Sequence, residues 1–266
     1  MPQHNPTRAS SRQAEPPGGA IQTLLLALLL GLALSHALPP AFAEAPPAGP
    51  RFLWQAVDAT TDTTAVYTLT TNGSQVFIGE AGLHRDPTAM WPTITWLITA
   101  YDAGTGATLW RDELYPPPST IALAKAIATT NDLVVVAGAS SNASYAYIWL
   151  VRAYNAATGT LRWQDTIDQG PTSAFASAIA IVPTAAGPRI VVAGTGAAAD
   201  GTPIWLIRAY DPTGGILLTI AIHPLPGTIT AQPTAIAVHG THVLITGTAT
   251  DEAGTIRVVT RAYTAQ

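Results

Sequence analysis

The sequence of 266 residues has no cysteine, a single lysine and only 11% charged residues, with a formal net charge of −4. The absence of cysteine excludes disulfide bonds and a lipid-anchored lipoprotein. With an isoelectric point near 5.8, the chain is not a basic nucleic-acid binder. Outside the N-terminus, no apolar run approaches the roughly 20 residues of a membrane-spanning helix. We therefore expect no nucleic-acid partner and no membrane span in the mature protein.

Residues 1–43 have the features of a secretory signal peptide. A polar start with two arginines precedes the apolar run Leu24–Leu34, which as a helix reaches roughly 17 Å, about half of the hydrocarbon core. The A-x-A site Ala41–Ala43 follows. We expect the mature chain to begin near Glu44 with a Pro-rich tether over 44–50, and the protein to be secreted or periplasmic. An uncleaved anchor helix is the alternative.

A repeated unit fills residues 51–266. Four segments align on a tyrosine, with spacings of 53, 56 and 53 residues: Tyr101, Tyr154, Tyr210 and Tyr263. Upstream of each lies a β-rich run that ends in a glycine: Gly79, Gly138, Gly194 and Gly247. The first glycine precedes its tyrosine by 22 residues and the others by 16, which predicts a six-residue insertion in the first unit.

Each unit is predicted to contain four β-strands. In the second unit these are Leu123–Thr130, Leu133–Gly138, Ile148–Tyr154 and Thr160–Thr166. Both faces of the third strand carry large side chains, which is typical of a strand packed between neighbouring sheets. Four-stranded units repeated about every 54 residues predict an all-β fold, a β-propeller.

The two ends of the repeat region complement each other. The fourth unit stops after its third strand at Gln266, whereas Arg51–Val57 matches the fourth strands, with Trp54 aligned to Trp110 and Trp163. We predict four four-stranded blades that are closed by strand exchange between the ends, which removes an exposed edge. The alternative is that two chains join into one eight-bladed ring.

The strings IWLIRAYDPTGGILLT and YDAGTGATLW resemble the repeats of bacterial quinoprotein-like (PQQ-like) β-propellers, which include pyrroloquinoline-quinone enzymes and outer-membrane assembly scaffolds. The resemblance implies that recurring Gly and Trp residues lock neighbouring blades together. Trp54, Trp110 and Trp163 fill that Trp position here, and Thr219 breaks the series. The quinone enzymes also use a vicinal cysteine pair and have twice as many blades. We therefore expect no quinone and no other cofactor.

Some residues recur in step with the repeat. Arg152, Arg208 and Arg261 lie two residues before their tyrosines, with Thr99 in the remaining slot. They could form a ring of cations for an acidic ligand, but their periodicity favours pairing with aromatic or acidic groups of neighbouring blades. The tryptophans five residues before the tyrosines are expected to pack between blades in the same way: Trp96, Trp149 and Trp205.

Residues outside the repeat pattern are better candidates for function. The insertion in the first unit carries His84, Arg85, Asp86 and Trp91, and the equivalent loop of the third unit carries Asp200. We predict that these residues form a binding surface at one end of the blades.

No metal site is predicted. Acidic residues near the same end could surround Ca²⁺, but they form no compact D-x-D-x-D loop; they are Asp58, Asp62, Asp112, Glu113, Asp165 and Asp168. His239 and His242 lack a third ligand at metal spacing.

The sequence favours an exported, non-enzymatic binding or scaffolding propeller that uses its loop face. Its expected partner is another envelope or extracellular protein, and its expected state is a monomer or a homodimer. The alternative is an extracellular hydrolase or lyase acting on glycans, which would require two carboxylates about 5–9 Å apart in a pocket.

Overall fold

The computed structural model describes residues 52–57, 62–85, 92–115, 121–222 and 226–265. The chain divides into two units, and all of these residues belong to the second, Arg51–Gln266. The predicted signal peptide (1–43) and tether (44–50) lie outside the described residues. Within the described part of the chain, no helix has the length and apolarity needed to cross a membrane.

The described residues form fifteen antiparallel strands in four sheets, which we call blades one to four. Within each blade the strands are paired in chain order. Blade one contains β1 (Asp62–Thr71), β2 (Gln75–His84), β3 (Thr93–Asp102) and β4 (Thr108–Leu114). Blade two contains β5 (Ala122–Thr129), β6 (Leu133–Ser141), β7 (Tyr147–Asn155) and β8 (Leu161–Ile167). Blade three contains β9 (Phe175–Val182), β10 (Arg189–Ala197), β11 (Pro203–Tyr210) and β12 (Ile216–Ile222). Blade four contains β13 (Thr228–His239), β14 (His242–Asp251) and β15 (Ile256–Thr264).

The local sequence explains these strands and their turns. β6 reads LVVVAGASS and every residue in it is buried, as expected for a β-branched strand that is covered on both faces. The turn after β3 is held by Asp102, whose Oδ1 accepts hydrogen bonds from the backbone N–H groups of Gly104 and Thr105 at 3.1 and 2.8 Å. Asn155 and Asp211 hold the equivalent turns of blades two and three in the same way.

The all-β fold with four blades is confirmed, and the strands predicted in the second unit agree with β5–β8 to within three residues. The strand count differs from the expected sixteen because blade four has three strands among the described residues. Residues 52–57 form no strand. Closure of the ring by the N-terminal segment therefore stays a prediction.

The register of blade one differs from the sequence alignment. In blade two, Gly138 pairs with Leu150, which lies four residues before Tyr154. In blade one, the residue four positions before Tyr101 is Leu97, and it pairs with Glu80. Glu80 and not Gly79 therefore occupies the glycine position in blade one, and the insertion is five residues long instead of six. The error arose because two adjacent positions both fitted the β-rich run.

The hydrophobic core consists of three clusters, each between two consecutive blades. The first strands of the blades, β1, β5, β9 and β13, lie next to one another in that order. Each sheet packs on the next one, but no comparable packing joins blade four to blade one among the described residues. The blades therefore form an open arc.

Candidate functional site

Blades one, two and three each receive a tryptophan dock, in which an indole from the preceding part of the chain lies over the turn between the third and fourth strands. Trp54, Trp110 and Trp163 donate their Nε1–H to the carbonyl oxygens of Ala103, Ala156 and Pro212 at 2.9, 2.7 and 2.9 Å. The indoles stack on Tyr101, Tyr154 and Tyr210. Trp54 thus occupies the same position on blade one as the fourth-strand tryptophans do on blades two and three.

A glycine in the following turn makes each dock possible. Gly159 has φ +71°, and a Cβ at this position would lie 2.6 Å from the Trp110 ring. Gly106 and Gly214 have the same geometry toward Trp54 and Trp163. Glycine is therefore required twice, by the left-handed backbone and by the close approach of the indole.

Buried charge pairs accompany two of the docks. Asp112 of blade one accepts hydrogen bonds from Arg152 at 2.6 Å and from Tyr154 at 2.8 Å, both in blade two. Asp165 accepts equivalent bonds from Arg208 and Tyr210 of blade three. Burial raises the pKa of Tyr154, so its hydroxyl remains a neutral donor. These arginines join blades together and do not form a ring that binds an acidic ligand.

The interface between blades three and four lacks this dock. The sequence alignment placed Thr219 at the tryptophan position, but this was wrong by one residue because the turn before β12 is one residue shorter than in blade two. Leu218 pairs with Ala209 as Trp163 pairs with Ala153, so Leu218 stands where the tryptophan would be and Ile220 where the aspartate would be. The Tyr263 hydroxyl and Trp205 Nε1 have no hydrogen-bond partner among the described residues. A cavity of about 360 Å³ is present here, lined mainly by apolar side chains that include Leu217, Leu218 and Ile220.

The inner strands form a second cavity, of about 220 Å³, which residues of blades two, three and four line together. Lys125 lines it and also places its ammonium 3.7 Å from the centre of the Tyr67 ring of blade one. Desolvation lowers the pKa of Lys125. Tyr147 and Gln232 also line this cavity.

The predicted binding residues of blade one are in part described. His84 ends β2 and packs its ring edge-on against Tyr115, with 4.8 Å between the ring centres. Arg85 follows directly and is exposed. Asp86 and Trp91 lie outside the described residues.

Thr95 and Tyr115, which were not singled out in the sequence, join this end of blade one together with Glu113, which was considered there only as a possible Ca²⁺ ligand. Glu113 accepts a hydrogen bond from the Thr95 hydroxyl at 3.0 Å. Burial and a hydrogen bond to Glu113 raise the pKa of Tyr115 to about 12. His84, Thr95, Glu113 and Tyr115 form one group, which we call the blade-one cluster. The signal in the sequence was that the fourth strand continues as Glu-Leu-Tyr, with an aromatic residue that the other units lack.

The remaining predicted positions are separate from this cluster. Asp200 lies in the β10–β11 turn, where its Oδ1 accepts the backbone N–H of Thr202 at 2.9 Å. Asp112 and Asp165 accept hydrogen bonds from the following blade, so they are not available to surround Ca²⁺. Asp168 accepts a hydrogen bond from Asn142, and Asp58 lies outside the described residues.

The described residues provide no metal site and no paired carboxylates in a pocket. They contain no group of three or more His, Asp or Glu side chains that lie close enough together to hold a metal ion. His239 and His242 face each other across the β13–β14 hairpin. None of the three cavities found in the described part of the chain is lined by two carboxylates, which is the arrangement that a glycoside hydrolase needs.

Comparisons with known proteins give a family match and a solved structure of low identity. The family model described as "Outer membrane protein assembly factor BamB" matches residues 95–256, more than half of the chain. No curated protein matches the sequence. Among solved structures, the quinohemoprotein alcohol dehydrogenase ADHIIG from Pseudomonas putida HK5 aligns with a TM-score of 0.46 and 15% identity. The alignment covers 73% of this chain but only 38% of that structure.

Proposed function

Since the chain belongs to the family described as outer membrane protein assembly factor BamB, we propose that it is an exported, non-enzymatic scaffolding β-propeller that binds another envelope protein. The family description names an assembly factor, and such a protein needs a rigid surface more than a reactive centre. Fold alone does not assign an activity. The proposal therefore depends on how the polar side chains are used.

The observation that carries the proposal is that the polar side chains that join the blades differ from those that lie at the candidate surface. The recurring charged groups, such as Asp112 with Arg152 and Asp165 with Arg208, join neighbouring blades. The polar and aromatic side chains outside the repeat collect instead at one end of blade one, in the blade-one cluster. The scaffold and the candidate surface thus use different residues.

The blade-one cluster has the chemistry of a protein-binding surface. His84 and the half-exposed Tyr115 offer aromatic area, Arg85 is exposed, and Glu113 supplies a carboxylate beside them. Aromatic and arginine side chains contribute most of the binding energy at protein interfaces. The inserted connection that starts here also carries Asp86 and Trp91, which would extend the same surface.

Photo-cross-linking in cells tests this surface. We expect a photoreactive phenylalanine at His84 to give one discrete cross-linked envelope protein, and the same probe at Tyr145 to give none. Tyr145 is a suitable control because it is 77% exposed in the equivalent hairpin of blade two. Substitution of Arg85 and Trp91 by alanine should abolish the cross-link while the circular dichroism spectrum stays unchanged. Equal cross-linking from both positions would contradict the proposed site.

Export is part of the same proposal. The signal segment 1–43 predicts a mature chain that starts at Glu44. Intact-mass measurement of protein from the periplasm or culture medium should give that N-terminus. A chain that keeps residues 1–43 in the cytoplasm would refute the proposed location.

A further inference from the structure

Blade one presents a face that is buried in the blades that follow it. Leu69 is 66% exposed, whereas Ile127 and Ile179, which occupy the same register position in β5 and β9, are 8% and 9% exposed. Val66 is likewise exposed, while its equivalent Ala124 is fully buried against blade one. No blade of the described part of the chain therefore covers this face of blade one.

Blade four presents the opposite face, which no other blade covers among the described residues. Val258 takes the position of Trp96, Trp149 and Trp205, all fully buried, and yet it is 78% exposed. Ile256 on the same strand is exposed as well. The outer edge of β15 has no neighbouring strand among the described residues.

The side chains on these two faces are complementary in size. At the internal interfaces a large Trp approaches a glycine, as Trp96 approaches Gly138 and Trp149 approaches Gly194. On the exposed face of blade four, the small side chain of Val258 stands at the Trp position. On the exposed face of blade one, the larger side chain of Glu80 stands at the glycine position. A small side chain on one face would therefore meet a larger one on the other.

The docks limit the angle between neighbouring blades. At about 4.8 Å per strand, a fourth strand lies ~14 Å outside the first. In a ring of four blades, neighbouring blades meet at a right angle, and the distance between their fourth strands exceeds the distance between their first strands by ~20 Å. In a ring of eight blades the angle is half as large, and this difference is ~11 Å. Trp110 in β4 nevertheless reaches Ala156, in the turn before the fourth strand of blade two, at 2.7 Å. This contact, together with the lack of comparable packing between blade four and blade one among the described residues, favours the smaller angle.

We propose that two copies of this chain form one closed ring of eight blades. Residues 52–57 of each copy stay docked on their own blade one through Trp54 and add a fourth strand to β15 of the other copy. The exposed side chains of Phe52, Leu53 and Val57 in this segment are then covered. The contact is two-fold and self-complementary, so the assembly is finite.

The register of the other blades predicts which residues meet. Trp163 pairs with Ala153 in blade two, so Trp54 of one copy lies opposite Ala262 of the other, and Ala56 lies opposite Thr260. Because the chain has no cysteine, a disulfide between introduced cysteines at these positions reports this pairing alone. Antiparallel neighbours lie within the Cα distance that a disulfide needs.

The test is oxidation of the full-length variant A56C/T260C, followed by non-reducing electrophoresis. We expect a covalent dimer, and also a cross-linked heterodimer when the single variants A56C and T260C are mixed. A disulfide within one chain would overturn the proposal in favour of a four-bladed ring, and the absence of a disulfide would overturn it as well. The control A56C/S144C, with its second cysteine in an exposed turn of blade two, should stay unlinked.

The mass in solution provides a second readout. The 27.6 kDa chain should sediment at twice its mass, or at twice the processed mass. V258D should halve this mass without loss of the β-sheet circular dichroism signal. Y145D, which alters an equally exposed side chain, should leave it unchanged. A wild-type chain that sediments as a monomer, or a V258D variant with the dimer mass, would refute the eight-bladed ring.

Discussion

The tryptophan docks can be tested by adding a single methyl group at Gly159. G159A must hold an alanine at φ +71° and also place its Cβ 2.6 Å from the Trp110 ring. The left-handed backbone costs about 1 kcal/mol, and the overpacking adds about 2 kcal/mol. We therefore expect a loss of about 3 kcal/mol in the free energy of unfolding, measured by urea titration with far-ultraviolet circular dichroism.

The chain supplies a control for the backbone term. Gly170 has φ +68° and no atom within 4 Å of a built Cβ, so G170A should lose only about 1 kcal/mol. In a W110A background the ring is gone, and G159A should then also cost about 1 kcal/mol. Equal losses for G159A and G170A in the wild-type background would refute the view that the glycine is there to admit the indole. A G159A cost that W110A leaves unchanged would do the same.

Three further outcomes are expected. L218W, which places an indole at the position that pairs with Ala209, should fill the cavity between blades three and four and raise the free energy of unfolding by about 1 kcal/mol, seen as a higher melting temperature. D112A should cost about 3 kcal/mol in urea titration because it leaves Arg152 buried without a counter-ion, and adding R152T should recover part of that loss. E113Q should lower the pKa of Tyr115 from about 12 toward the ordinary value of 10.0, as followed by ultraviolet absorbance of tyrosinate. Because folding raises this pKa, its contribution to stability is complete below pH 10.0 and is lost as the pH rises through about 12; a stability profile of E113Q that matches the wild type above pH 10.0 would contradict the assignment.

The blade architecture could be predicted from the sequence because it is periodic. Four tyrosines at nearly equal spacing locate the third strands, and the β-rich run before each tyrosine locates the second. The turn chemistry of Asp102 and its counterparts is local, so sequence alone suffices for it. The register failed in two places. In blade one Gly79 and Glu80 are adjacent, and the insertion hides which of them faces Leu97. In blade three the turn before β12 is one residue shorter, which moves the tryptophan position from Thr219 to Leu218.

The candidate site was less accessible from the sequence. His84 was selected because it breaks the repeat, but its contact with Tyr115 joins residues at the ends of β2 and β4, and no local pattern encodes that distance. Likewise, the arginines could have bound a ligand or a neighbouring blade. Only the position of Asp112 on the preceding sheet, 2.6 Å from Arg152, decides between these roles.

The missing dock between blades three and four has a consequence for how the molecule opens. Each blade touches only its neighbours, so local opening begins at the weakest interface. Blade four lacks both the indole and the aspartate that hold blades two and three to their predecessors, and its last strand has no partner on its outer edge in the described part of the chain. Amide hydrogens of β14 and β15 should therefore exchange before those of β6 and β10. If a second copy covers β15, this early exchange should slow as the protein concentration rises.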